Sequence, residues 1–405
     1  MTYQDNLIAI ADTILKEGYI DAMRNAIFTE SSFIAKKIWA NNKGYDGSDV
    51  ITCPVPVGLV GGAGFGDLTG ENAAKAANRI RKRYTETPVE FQVAIELYDR
   101  LARSDMSKAQ MINYVQDELE GATETAQWQF GRALFGNGTG VLATITAQAA
   151  GAESVKVDDG RNLIAGILVD IYPKGAAVGS EPTYKKARIT DVADNADGSA
   201  TVYFEGQSIT VAAEAFITLQ NSYGNEITGI DALFDESVTE IAGIEKAKNL
   251  WVKPKVIDVG HDLTFNKMRD AMRSARRKNG KIDVIAAGAG AYDAFAEEIQ
   301  ASGTQIISKN EGEGGFKSLS FIHGTDRVDV YEEQFVKKGE MIGLSTKDII
   351  PYMSKLDYAK AAPEAVAFQL IPGTSKYGAL MTSYGNYIYR NPGGMFKLTN
   401  CDIAA

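Results

Sequence analysis

Cysteine and histidine are the scarcest chemistry-bearing residues in this chain, two of each in 405 residues. Cys53 and Cys401 lie far apart and form no CxxC or Cys/His cluster. That excludes a disulfide framework and a structural zinc site, and it fits a reducing cytosol. His261 and His323 are too few for a His-rich metal centre and leave little material for a His-based triad. Proline, at 10 residues, is below the usual ~5%. No run reads as a membrane span, since the longest uncharged stretch, 133–152, contains GNGTG, Thr144, Thr146 and Gln148. The N-terminus, MTYQDNLIAIADTILKEG, has no basic n-region and carries Asp5, Asp12, Lys16 and Glu17, so no signal peptide is expected. A soluble protein, intracellular when made, is the expectation. Positive charge is in deficit, with 42 Lys+Arg against 52 Asp+Glu. A net charge of −10 argues against a general nucleic-acid binder while leaving a local basic face open.

What the chain has is length and glycine. At ~150 residues per domain it should hold two to three domains, with ample material for a core. Its 40 glycines exceed the usual ~7%. Residues 4–28 read as an amphipathic helix interrupted at Gly18, with Leu7, Ile8, Ala11, Ile14 and Leu15 on one face. Glycines at 58, 61, 62, 64, 66 and 70, with Pro54 and Pro56, then remove helix propensity. Around Pro88 the alternation of Val89, Phe91, Val93 and Ile95 predicts a strand, so 50–97 reads as a long extended excursion. Met111, Val115, Leu119, Ala122, Ala126, Phe130 and Ala133 recur at three or four and predict a rod-like helix over 105–135, stopped by GNGTG. Residues 155–228 read as β, with LIAGILVDIY as one strand and a hairpin turning near Asp197-Gly198. Strands are also expected at 209–211 and 216–219. Residues 231–345 mix α and β. A helix is predicted over about 262–278 with Asp262 as N-cap, followed by a strand, glycine turn and helix across KIDVIAAGAGAYDAFAEEIQASG. VDVYEE and MIGLST read as short strands, and β-like runs fill 363–400.

Each constellation with catalytic potential has a plainer reading. GAGAYD at 288–293 lacks the third glycine of a dinucleotide fingerprint and puts Asp293 there, so a simple strand-to-helix turn is expected. The 58–70 cluster lacks the Gly-Lys-Ser/Thr ending of a phosphate loop and reads better as a flat loop lying against another chain. The basic run Lys267, Arg269, Arg273, Arg276, Arg277, Lys278 and Lys281 has no interleaved aromatics. A solvated or salt-bridged helix face fits it, with nucleic-acid contact as the alternative. Glu332-Glu333 and Asp158-Asp159 read as solvated acids, His261 as a helix-start residue and His323 as a strand-end residue. No G-x-S-x-G or H-E-x-x-H occurs. No catalytic, cofactor or metal residue is therefore assigned.

The arrangement of arm, glycine-rich excursion, rod helix, α/β region and returning strands resembles the major capsid protein of tailed bacteriophages, with the α+β Hong Kong 97-type (Johnson) fold. WQFGRALFGNGTGVLATI looks like the end of that family's spine helix with its Gly-x-Gly-Thr-Gly turn. NEITGIDALFDE with IAGIEKAKNLWVKPKVID is similar to the segment entering the axial domain. DVIAAGAGAYDAFAEEI and YGNYIYRNPGGMFKLTN fit as well. The resemblance implies an N-terminal arm at 1–45, an extended loop at 46–97 and a peripheral domain with the spine helix at 98–151. It further implies an inserted β domain at 152–230, an axial domain at 231–345 and returning peripheral strands at 346–405. Inter-subunit contact is then expected at Leu7, Ile8, Ile14 and Leu15 on the arm. In the loop it is expected at Val57, Gly58, Gly61, Gly62, Gly64, Phe65, Gly66 and Gly70.

The implied function is self-assembly into pentamers and hexamers of an icosahedral shell around phage DNA, held without sequence-specific binding. No cofactor, enzymatic activity or membrane contact is implied. The implied partners are a separate scaffolding protein or none, because the chain starts directly at the arm, together with portal and decoration proteins. The implied location is the virion capsid, and the host cytoplasm during assembly. Lys75, Asn386 and Asn391 occupy regions where some relatives form Lys–Asn cross-links, but no motif links them and no cross-link is expected. The alternatives are a nanocompartment shell of the same fold, a nucleotide-binding enzyme using the 288–293 turn, and a shell-decorating protein.

Overall fold

The computed structural model describes residues 19–57, 62–63, 65, 78, 80–98, 108–147, 149–195, 198–301, 319–323, 326–358 and 368–402. Helix α1 (Ile20–Asn25) runs into a π-helical turn, Ala26–Glu30, before the chain breaks at Ser31-Ser32 and restarts as α2 (Phe33–Trp39). Ser32 restarts it, because its Oγ accepts the Ile34 amide at 3.1 Å and its carbonyl accepts from the Lys36 amide. The helix expected up to residue 28 is helical over its described part, as α1 and the π-turn, and α2 is a further helix beyond it. The first half of the expected helix, 4–18, lies outside the described residues.

Strands β1 (Ile51–Val57) and β2 (Ile80–Glu86) form an antiparallel hairpin, followed by β3 (Val89–Tyr98). Helix α3 (Lys108–Phe135) is the predicted rod. A run of eight strands follows: β4 (Val141–Thr144), β5 (Ala149–Ala152), β6 (Ser154–Val157), β7 (Leu168–Tyr172), β8 (Tyr184–Asp194), β9 (Ala200–Phe204), β10 (Ile209–Val211) and β11 (Phe216–Leu219). Then come α4 (Asp231–Phe234), β12 (Glu240–Ile241), β13 (Ile244–Glu245), β14 (Lys255–Asp258), α5 (Phe265–Arg277), β15 (Val284–Ala287) and α6 (Ala291–Ala301). The chain closes with β16 (Leu319–His323), β17 (Asp326–Glu332), β18 (Met341–Leu344), β19 (Ile349–Met353), β20 (Asp357–Tyr358), β21 (Gln369–Leu370), β22 (Lys376–Tyr389) and β23 (Phe396–Thr399). Among the described residues, no helix is long and apolar enough to cross a membrane.

These elements form two units. The first comprises 1–36, 89–232 and 354–384; the second comprises 37–88, 233–353 and 385–405. In the first, α3 buries Val115, Leu119, Ala126, Phe130 and Ala133, the stripe its spacing predicts. Phe130 takes an edge-to-face contact from Phe28 of the π-turn at 4.9 Å and another from Phe91 of β3 at 5.7 Å. Each such side chain, fully buried, contributes roughly 1.5–3 kcal/mol. Beyond α3, six antiparallel strands run in the order β4-β11-β7-β8-β9-β6. Ile145, just past β4, bridges to Val157 of β6, the Thr146 amide donates to the Lys156 carbonyl, and the Asp158 amide donates to the Thr144 carbonyl. The two edges of the sheet therefore meet, closing a small barrel around Ile145, Val157, Val169, Ile171, Ile189, Val202 and Ile217. The stretch LIAGILVDIY supplies only β7 to it. Gly166, at φ 95°, turns the chain first, its amide donating to the Ile189 carbonyl.

The second unit is built on a mixed sheet ordered β14-β23-β18-β15-β17-β16, with β14/β23 and β15/β17 parallel. Helix α5 buries Met268, Ala271, Met272 and Ala275 at helical spacing, and α6 buries Ala291, Tyr292, Ala294, Phe295 and Ile299. Both share one apolar cluster with Val330, Met341, Phe396 and Leu398.

Candidate assembly surface

The β1–β2 hairpin is anchored at one end and open at the other. At its base Ile51, Cys53 and Val55 point inward, and Tyr84 stacks on Trp251 with ring centroids 6.1 Å apart. The Thr85 amide donates to the Ala242 carbonyl, and the Ala242 amide donates to Glu86 Oε1, both at 3.0 Å. Burial holds the Tyr84 hydroxyl well above its ordinary pKa, so it stays neutral. At the far end Val57 pairs with Ile80, which is 63% exposed, and Arg81, Lys82 and Arg83 face solvent. Pro54 and Pro56 have no N–H to offer a further strand, which suits a two-stranded ribbon with open sides.

Of the residues expected at subunit contacts, Val57 is half-buried at the end of β1, while Gly62 and Phe65 are exposed, Phe65 fully. Leu7, Ile8, Ile14, Leu15, Gly58, Gly61, Gly64, Gly66 and Gly70 lie outside the described residues. Lys75 does too. Asn386 is buried and donates to the Thr87 carbonyl at 2.9 Å, and Asn391 donates to the Lys278 carbonyl at 3.0 Å.

The GAGAYD turn is filled by its own chain. The Gly288 amide donates to the Glu340 carbonyl, and the Gly339 amide to the Ala289 carbonyl. A Cβ at Gly288 would collide with the Lys337 carbonyl oxygen, so glycine here serves backbone packing. His261 Nδ1 lies 3.1 Å from Asp402 Oδ1 and 3.2 Å from the Asp402 carbonyl. Cys53 and Cys401 are both buried, and burial with nearby Asp402 pushes the Cys401 thiol up to about 12, which leaves it unreactive. Among the described residues no group of three or more His, Cys, Asp or Glu is placed to hold a metal ion.

The basic helix α5 starts later than expected. Its N-cap is Thr264, whose hydroxyl accepts from the Lys267 amide, and not Asp262. Thr264 has the extended backbone a cap needs, whereas Asp262 spends its carboxylate on Lys267 Nζ at 3.0 Å. Arg273 pairs with Asp270 at 2.8 Å, and Lys278 Nζ donates to the Leu250 and Lys253 carbonyls. Arg269, Arg273, Arg276 and Arg277 are exposed.

No protein-family profile matches the chain, and no curated protein does. Solved structures do. A chain of the cyanophage A-1(L) capsid asymmetric unit aligns over 90% of this chain and 91% of its own, with a TM-score of 0.50 at 9% identity. The chain has the Hong Kong 97-type fold. The capsid of a native GTA particle (TM-score 0.45, 10% identity, 91% and 90% covered) and an encapsulin from Synechococcus elongatus (0.39, 7%, 91% and 89%) also align.

Within that fold, three features escape the sequence reading. The basic triplet 81–83 reads as part of a polar stretch until its pairing with β1 puts it on a hairpin arm. The closure of the barrel depends on Ile145 reaching Val157. Arg132, in the last turn of α3, forms a two-pronged ion pair with Glu226, their side chains 4% and 7% exposed. No local pattern marks two residues so far apart as partners.

Proposed function

We propose that this chain is a shell-forming structural protein, the major capsid protein of a tailed bacteriophage. It assembles through non-bonded surfaces into pentamers and hexamers of a closed shell around DNA. The observation that carries this reading is the fold shared with a phage capsid chain over nine-tenths of both chains. A hairpin that, among the described residues, buries Ile51, Cys53, Val55 and Tyr84 and leaves Ile80 and Arg81–Arg83 exposed supports it. Residues 1–45 act as the arm and 46–97 as the loop that overlaps a neighbour through Val57–Gly70. The spine-helix region and the returning strands form the periphery, and 231–345 surrounds the capsomer axes. Residues 152–230, which supply most of the barrel, are the insertion, facing outward or bracing a neighbour. The chain's role is mechanical and not catalytic. A chain of net charge −10 holds DNA without gripping it. A separate scaffolding protein, a portal and decoration proteins complete the particle, which is built in the host cytoplasm. The test is sedimentation with negative-stain microscopy of the protein expressed alone and with its neighbouring genes. Closed particles, or rings of five and six, are expected. A small oligomer under both conditions would overturn the reading, and particles filled with a protein cargo would turn it to a nanocompartment.

A further inference from the structure

The second unit carries opposite charge on its two helices. Helix α5 holds Lys267, Arg269, Arg273, Arg276 and Arg277 against a single acid, Asp270. Arg269, Arg273 and Arg277 recur at i, i+4 and i+8, one exposed stripe. Helix α6 holds Asp293, Glu297 and Glu298 and no basic residue, with Asp293 and Glu297 exposed at i and i+4. The sheet order puts these helices toward opposite ends of the row of strands. α5 packs on β14 and β23, beside exposed Lys255, and α6 packs on β17, which ends at exposed Glu332. Phe265 meets Phe295 edge-to-face at 6.2 Å and its amide donates to Glu298 Oε1 at 3.3 Å, so the helices are neighbours, while Arg269, Arg273 and Arg277 on one and Asp293 and Glu297 on the other are all exposed. Glu332 pairs in register with Ala287, four residues before α6 begins, which places it near the Asp293 end of that helix.

A unit basic on one side and acidic on the other complements a second copy of itself head-to-tail, and a head-to-tail contact that closes makes a ring. We propose that the Arg269–Arg273–Arg277 stripe of one copy docks on the Asp293–Glu297 stripe and Glu332 of the next, and that this contact sets the order of subunits around each ring. The inference rests on the shell-forming reading and names the partner surface within it. Each exposed pair is weak, but several pairs repeated at every contact add up, and they favour head-to-tail over like-to-like approach. Salt should weaken it, because screening lengths fall from ~10 Å at 0.1 M to ~3 Å at 1 M.

The test uses three full-length proteins: R269E/R273E/R277E, D293K/E297K and the five-fold combination. All the substituted positions are solvent-exposed, so circular dichroism and thermal unfolding should match the parent. Each partial variant should need about tenfold or more concentration to form rings, and the combination should recover. Mixing the two partial variants should restore six-membered but not five-membered rings, since alternating copies close only in even numbers. Folded variants that assemble as the parent does would overturn the proposal. So would a combination that fails to recover, or an arginine variant that forms normal rings but retains less DNA. A parent that forms neither rings nor shells would overturn the shell reading itself, and the proposal with it.

Discussion

The barrel of the first unit and the hairpin of the second are both antiparallel β structures, yet they treat their edges in opposite ways. The barrel joins β4 to β6 through Ile145 and Val157, so neither edge is left to pair with another chain. Its apolar residues are buried among themselves. The hairpin has two strands, protects one with prolines and leaves Ile80 and the basic triplet exposed. Among the described residues no strand pairs with the hairpin beyond its own two, which leaves a surface for something else. Under the shell reading that something is the neighbouring copy.

Breaking the self-contained side should produce the largest effects on stability. Arg132→Ala leaves Glu226 charged and buried, and should lower stability by about 3–5 kcal/mol in urea unfolding. Replacing both partners by Met and Leu should recover most of the loss. In the second unit's own interior, Gly385→Ala should lose about 3 kcal/mol, because φ is 148° and a Cβ would collide with the Tyr352 carbonyl oxygen. Ile171→Val in the barrel should lose about 1 kcal/mol and leave assembly of the folded protein unchanged. Ile80→Ser should reverse that pattern, with stability within about 0.5 kcal/mol of the parent and shell formation reduced in sedimentation. A loss of stability without a loss of assembly at residue 80 would remove the contrast between the two regions.

The smallest effect concerns pH. Burial, with Asp283 adding to it, raises the Asp348 carboxyl above its ordinary 3.8, against the lowering influence of Ser345, Arg390 and Lys281. A raised acid binds its proton more tightly when folded. Its contribution to stability is therefore present at low pH and lost as pH rises through the folded value. Asp348→Asn should flatten that decline in unfolding midpoints measured from acid to neutral pH. An unchanged slope would show that the carboxyl is not the source.

Much of this organisation is legible in the residues. The stripe from Val115 to Ala133 marks α3, and the alternation of Val89, Phe91, Val93 and Ile95 marks β3, where the first two are half-buried and the last two buried. Both are local periodicities. The 184–204 hairpin declares itself through β-favouring residues around a glycine, Gly198 at φ 80°. Boundaries are less visible. Thr264 takes the cap expected of Asp262, since either side chain could fill it and only the backbone decides. Long-range features are not visible at all. The Arg132–Glu226 pair and the barrel closure depend on segments brought together by folding. The charges of α5 and α6 can be counted in the residues, but their opposition across one unit needs the sheet order. Of the twelve residues expected at subunit contacts, the three described sit at an open or exposed end of the hairpin region.

The most direct measurement is a cryo-electron microscopy map of the assembled particle. In that map Ile80 and Arg81–Arg83 should be covered by a neighbouring copy while the barrel keeps its own closed wall. A closed shell in which the hairpin end stands free in solvent would contradict it.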